Sequence, residues 1–153
     1  MKKLLLLFAA TLTLASCDSS DDDTDYYFDA VPTVSADVPA TMVTDQTYKI
    51  TIDYKQPTTC YSYATTNIES SVEETENEDN PDEEPTVTKI ITFAVINKIE
   101  VKSGDECEDL DAIAQTPVNF ETLETGSYIF RFWAGLDEDG ESIFLEYPVQ
   151  ISE

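Results

Sequence analysis

The chain contains no histidine, three cysteines (Cys17, Cys60 and Cys107), a single tryptophan (Trp133) and 32 acidic side chains against eight basic ones. Without an imidazole, the Ser-His-Asp and Cys-His arrangements of nucleophilic catalysis are excluded. Two internal thiols with no histidine also fall short of a structural zinc set. Paired carboxylates can hydrolyse glycosides only when held about 5 to 9.5 Å apart in a cleft. The acids here concentrate in loop-like stretches, where they are solvated, and so short a chain leaves little room for a deep cleft. The residue types therefore point away from an enzyme.

Hard cations and flat ligands fit the remaining chemistry better. Hard cations take clustered oxygens, and Asp137, Asp139 and Glu141 stand at alternate positions around Gly140. The pattern echoes part of an EF-hand loop. It lacks the first aspartate, since Gly135 stands two before Asp137, and it lacks the twelfth-position glutamate. A solvated hairpin tip is the primary expectation and calcium the alternative. Asp105, Glu106, Glu108, Asp109 and Asp111 form a second acidic cluster of the same kind. Arg131, Trp133 and Phe144 compose a different candidate, an aromatic and cationic patch for a sugar or a protein. No cofactor is expected beyond these options.

Positioning those residues requires strands. Tyr48, Ile50, Ile52 and Tyr54 alternate with Lys49, Thr51, Asp53 and Lys55, the period-two pattern of a half-buried strand. Val34, Ala36 and Val38 alternate between Pro32 and Pro39 and read as an edge strand. Cys60 to Thr66 resumes β character after Gln56-Pro57-Thr58. From Thr86 to Val101 one parity is apolar throughout, and Ile90, Ala94 and Ile96 make the other parity apolar too, so that run is buried on both faces or bends at a bulge. Leu110, Ile113 and Ala114 have the spacing of one helical turn. Val118 and Phe120 indicate another short strand.

The C-terminal hairpin is the clearest element. Tyr128, Phe130 and Phe132 share one face, with Arg131 and Trp133 opposite, and Ile143, Leu145, Tyr147, Val149 and Ile151 share a face again. Asp139-Gly140 is a tight-turn signal. A two-residue turn there places Phe132 opposite Tyr147 and Phe130 opposite Val149, and a slide by two keeps every face whereas a slip of one mixes them. The apolar face then needs cover from Tyr48 to Tyr54 and from Val87 to Val101. Residues 69–85 differ in kind, because nine of the seventeen are Glu or Asp. Such a segment buries too little to offset its ordering entropy and reads as a disordered acidic loop.

At the N-terminus, Lys2 and Lys3 precede eleven residues, Leu4 to Leu14, that are mostly apolar. That run is too short for the roughly 20 residues of a membrane-spanning helix and reads as a signal peptide. Leu14-Ala15-Ser16-Cys17 resembles the lipobox of bacterial lipoproteins. The resemblance implies cleavage before Cys17, diacylglycerol on its sulfur and an acyl chain such as palmitate on its amino group, since two or more chains give stable anchoring. The run Asp18-Ser19-Ser20-Asp21-Asp22-Asp23 resembles the surface-export signal of lipoproteins in one group of Gram-negative bacteria. It implies the outer leaflet of the outer membrane, with a periplasm-facing anchor as the alternative. With Cys17 lipidated, Cys60 and Cys107 remain as one pair in an oxidising compartment, pinning a loop to a strand start.

The formal net charge of −24 becomes −26 once Lys2 and Lys3 leave with the signal, because every acid follows Cys17. Such a surface repels nucleic acid. The chain divides into a signal peptide (1–16), a lipidated acidic tether (17–29) and one all-β domain (30–153). About seven strands with turn signals between them resemble an antiparallel immunoglobulin-like or fibronectin-III-like β-sandwich. The expected function is a surface-anchored lipoprotein, a non-catalytic binding or accessory component of the envelope. Its partners are the membrane through the lipid and an envelope protein or glycan. A calcium- or glycan-binding module for polysaccharide capture is the alternative.

Overall fold

The computed structural model describes residues 24–75, 86–102, 106–122 and 124–153. Cys17 and the residues before Thr24 lie outside them. Nine strands follow in chain order: β1 (Thr24–Val31), β2 (Thr33–Asp37), β3 (Thr41–Val43), β4 (Thr47–Thr58), β5 (Tyr61–Thr75), β6 (Thr86–Lys102), β7 (Asp109–Glu121), β8 (Gly126–Leu136) and β9 (Ser142–Ser152). They form two sheets, consistent with a β-sandwich. The smaller is β2-β4-β7; the larger runs β5-β6-β8-β9-β3, with β1 pairing β6 beyond the end of the β6–β8 pairing.

Alternation puts one parity of each strand between the sheets. Ile50, Ile52 and Tyr54 of β4 and Val118 of β7 face Ile91, Phe93 and Val95 of β6, Tyr128, Phe130 and Phe132 of β8, and Val149 and Ile151 of β9. Val31 and Met42 close the ends of this core. Aromatic rings dominate its centre: Phe93 stacks on Phe132 at 4.6 Å between centroids, and Phe120 meets Phe130 edge-on at 4.9 Å. Pairs in such geometries contribute about 0.5–1.5 kcal/mol beyond the area they bury.

Several expectations change on this frame. The strands among the described residues number nine, and two pairings, β6–β8 and β3–β9, are parallel. The helical turn at Leu110, Ile113 and Ala114 is strand: β7 pairs with β4 along its length, Ala114 opposite Tyr54, and Ile113 points to solvent at 62 % exposure. The disordered acidic loop expected at 69–85 is in part strand: residues 69–75 belong to β5 and pair with Thr86 to Thr92 of β6. Backbone hydrogen bonds to β6 hold a segment whose own side chains bury little; residues 76–85 lie outside those described. The tether expected at 17–29 is likewise strand over its described part, Thr24 to Asp29, which pairs with β6. The run Val87 to Val101 lies beside the hairpin in the same sheet and so extends the apolar face without covering it; β4 and β7 provide the cover.

The hairpin keeps its faces but slides by two. Phe132 opposes Leu145, Phe130 opposes Tyr147 and Tyr128 opposes Val149. Two local features contribute one residue each. The turn spans three residues, Glu138 to Gly140, closed by the Asp137 amide donating to the Glu141 carbonyl at 2.9 Å, with Gly140 at φ +84°. That is the type I turn plus left-handed residue of three-residue loops. The second residue is absorbed by a bulge between Trp133 and Gly135, where Gly135 has φ +122° and packs beside Pro32. In β2, a bulge between Thr33 and Ser35 turns Val34 outward while Ala36 and Val38 pack on the core.

Candidate functional site

Cys60 and Cys107 form a disulfide, with Cα atoms 5.5 Å apart across 47 positions. Cys60 ends the β4–β5 turn and Cys107 precedes β7, so the bond ties an end of the larger sheet to an edge of the smaller. Thr59 reinforces it: its amide donates to the Glu108 carbonyl at 3.0 Å, and its hydroxyl accepts the Glu108 amide at 3.1 Å.

The calcium candidates occupy the β8–β9 turn and are exposed. Asp137 Oδ1 accepts the backbone amides of Asp139 and Glu141 at 2.9 and 2.8 Å, so this carboxylate shapes the turn. Among the described residues no three acidic or cysteine side chains converge as a cation site.

The outer face of the larger sheet holds the aromatic candidates. Trp133 and Phe144 are register partners on β8 and β9. Both are half-buried and line a shallow depression of about 210 Å³ with Ala30, Asn67, Glu69, Thr92 and Ala94. The alanines keep the floor low, so the rings stand beside it as walls. Asn67 Nδ2 donates to Glu69 Oε1 at 2.9 Å and the Trp133 indole N–H donates to Ser142 Oγ at 3.3 Å. An aromatic surface beside amide and carboxylate groups can stack on an apolar ring face while exchanging hydrogen bonds at its rim.

Arg131 stands apart from that depression. Its Nε donates to Glu146 on β9 at 2.7 Å and its Nη1 to Glu73 on β5 at 3.2 Å. Partial burial opposes its charge, but the hydrogen bonds and charges of Glu146 and Glu73 outweigh this and push its pKa upward. The structure thus brings Trp133 and Phe144 together and assigns Arg131 to a brace across the sheet, from β9 to β5.

A second concavity lies on the inner face, at the side the smaller sheet leaves open. It measures about 340 Å³, with Val72, Ile91, Phe120 and Tyr128 as apolar walls. Lys89, Glu121 and Glu124 stand among its lining groups. Lys89 Nζ is hydrogen-bonded to Glu124 and lies 3.4 Å from Tyr128 Oη. That hydrogen bond holds the Glu124 carboxyl below its ordinary pKa and raises that of Lys89. The sequence patterns above do not mark this groove. Its only signal was the apolar Val72 within an acidic stretch, on the same parity as Ile68. No protein-family model, curated protein or solved structure matches this chain, so the fold and these two concavities are what define it.

Proposed function

We propose that this chain is a lipid-anchored bacterial surface lipoprotein, whose immunoglobulin-like sandwich acts as a non-catalytic binding or accessory component of the cell envelope. The observation that carries this reading is the run Leu4 to Leu14 leading into Leu14-Ala15-Ser16-Cys17. The Cys60–Cys107 disulfide supports it, because such bonds persist in oxidising compartments. No helix among the described residues is long and apolar enough to cross a membrane; in this reading the lipid on Cys17 provides the attachment. The immunoglobulin-like assignment draws on the packing of two sheets around one core, from which the parallel β6–β8 and β3–β9 pairings depart.

Intact-mass analysis of the membrane-extracted protein tests the anchor. The expected product begins at Cys17 and carries diacylglycerol; a mature N-terminus elsewhere, or an unmodified Cys17, overturns it. Protease accessibility on intact cells separates an outer-leaflet from a periplasm-facing anchor.

Glycan binding is the second reading, favoured by the pairing of Trp133 and Phe144 beside Asn67 and Glu69. Oligosaccharides are expected to change the emission of Trp133, the chain's one tryptophan. Silence across a broad panel of neutral and charged glycans removes this reading. Calcium has less support, since Asp137 Oδ1 is engaged by two backbone amides.

A further inference from the structure

The geometry points to β5 as a docking edge for an extended peptide strand of alternating basic and apolar side chains, which adds to the larger sheet and fills the inner groove. This deepens the reading of the domain as a binding component and is independent of the lipid. Three observations carry it.

The first is the edge. β5 is fifteen residues long and pairs with β6 on one side, while no other described strand pairs with its far side. A strand in that position offers backbone donors and acceptors to another chain, the basis of β-strand addition. Proteins usually shorten, bend or cover such edges.

The second is the exposed apolar parity. After the bulge between Tyr63 and Thr65, the even-numbered residues of β5 share the inner face with the core residues of β6: Ile68 lies opposite Phe93 and Val72 opposite Lys89. Yet Ile68 is 41 % exposed and Val72 59 %, because β7 is the last strand of the smaller sheet and stops short of them. Val87, on the same face of β6, is 49 % exposed. The groove runs inward from Val72 to Ile91, Phe120 and Tyr128.

The third is charge, which selects the occupant. On the opposite face of β5 stand Glu69 and Glu73, of which Glu73 shares the one charge of Arg131 with Glu146, and the groove carries Glu121 and Glu124. Its single cation, Lys89, is neutralised by Glu124. An incoming strand has a period of two, so its apolar side chains fall beside Ile68 and Val72 while the alternate ones fall beside Glu69 and Glu73. Basic residues complement that second row. A second copy of this chain pairing through β5 would set glutamates against glutamates, on molecules of net charge −24. The acids thus repel self-association at an edge whose other face presents Ile68 and Val72, with Ser70 between them.

The test uses the purified full chain and a fluorescent ten-residue peptide of alternating lysine and valine, followed by anisotropy. One-to-one binding is expected, weakening as salt screens the charges. Val72→Lys, at an exposed position, is expected to weaken it about tenfold by removing an apolar contact, and Ile68→Lys similarly. Methylating the peptide's backbone nitrogens on alternate residues separates strand addition from adsorption: one set of methyl groups abolishes binding and the complementary set leaves it. Equal binding by both methylated peptides overturns the proposal, as does equal binding by a glutamate–valine peptide. Concentration-dependent dimers of the chain that Val72→Lys dissolves would assign the edge to a second copy and overturn it too. Circular dichroism and the retained disulfide check that each variant is folded. An unmodified Cys17 would defeat the anchor and leave this titration unaffected.

Discussion

The inner face of the larger sheet has two halves built from the same alternation. Toward β8 and β9, Phe130, Phe132, Val149 and Ile151 are almost fully buried, because β4 and β7 lie across them. Toward β5, Ile68 and Val72 occupy equivalent parity and remain open to solvent. Side-chain chemistry separates the halves only in part, since Ser70 and Glu74 share the open face while isoleucine and valine occur in both. Coverage separates them: three strands cannot span a sheet that is wider than they are. An apolar parity is therefore a necessary sign of a core position and an insufficient one. The open half is also the half with a covalent tie, because the Cys60–Cys107 bond joins the start of β5 to the start of β7.

The largest effect that tests this contrast is expected at the centre of the covered half. Phe93→Ala removes a fully buried ring in contact with Phe120, Phe130 and Phe132, and by denaturant titration it is expected to cost about 3–5 kcal/mol. A loss below about 1 kcal/mol would mean that the core is not packed as described. Replacing both Cys60 and Cys107 by serine opens a loop of 47 positions, with an expected cost of about 4 kcal/mol in the chain-entropy account. Hydrogen exchange sharpens this: amides of β5 should lose more protection than those of β8. Uniform loss across both strands would show that the bond does not act preferentially on the open side.

Asp53 tests the covering sheet itself. Its carboxylate accepts the Ser35 hydroxyl at 2.6 Å and the Gln115 amide at 2.7 Å, so it spans β2, β4 and β7. Those two hydrogen bonds, the Ser35 one foremost, lower its pKa below the ordinary 3.8. The folded state thus holds this proton less tightly than the unfolded chain. The resulting stability is fully present above the ordinary value and is lost as pH falls through the folded value. Asp53→Asn is expected to flatten the acid limb of the stability curve between the ordinary value and the lower folded one, while leaving the neutral limb parallel; an unchanged acid limb would remove Asp53 from the account. The smallest effect belongs to the open half. Val72→Ser should change stability by no more than about 0.5 kcal/mol, and a core-sized loss there would abolish the distinction between the halves.

Much of the covered half was legible in the chain. The alternation at Tyr48 to Tyr54 and at Tyr128 to Phe132 identifies inward faces correctly because each strand packs one face on a partner sheet. The hairpin's faces also hold, whereas its register does not, since a three-residue turn and the Gly135 bulge each shift the pairing by one. Both depend on backbone conformations that Asp139-Gly140 alone does not specify. Ile113 misled by being apolar on the solvent side of β7, which created an apparent helical spacing with Leu110 and Ala114. Residues 69–75 misled in the opposite sense, being acidic yet held by β6. Of the sites, Trp133 and Phe144 could be paired from parity alone. The inner groove could not, because it depends on which strand ends the smaller sheet, and strand order is absent from local pattern.

The place of β9 has a consequence in time. It lies between β8 and β3, so Met42 pairs with Ile151 and the larger sheet is incomplete until the last strand arrives. A chain delivered N-terminus first cannot close this sheet early. Pairings this distant in sequence belong with folding in milliseconds to seconds rather than microseconds. Until then β3 lacks its partner, and the Phe130 and Phe132 face lacks its neighbouring strand. Such a topology leaves the larger sheet open between β8 and β3 until residues 142–152 are available to pair with both.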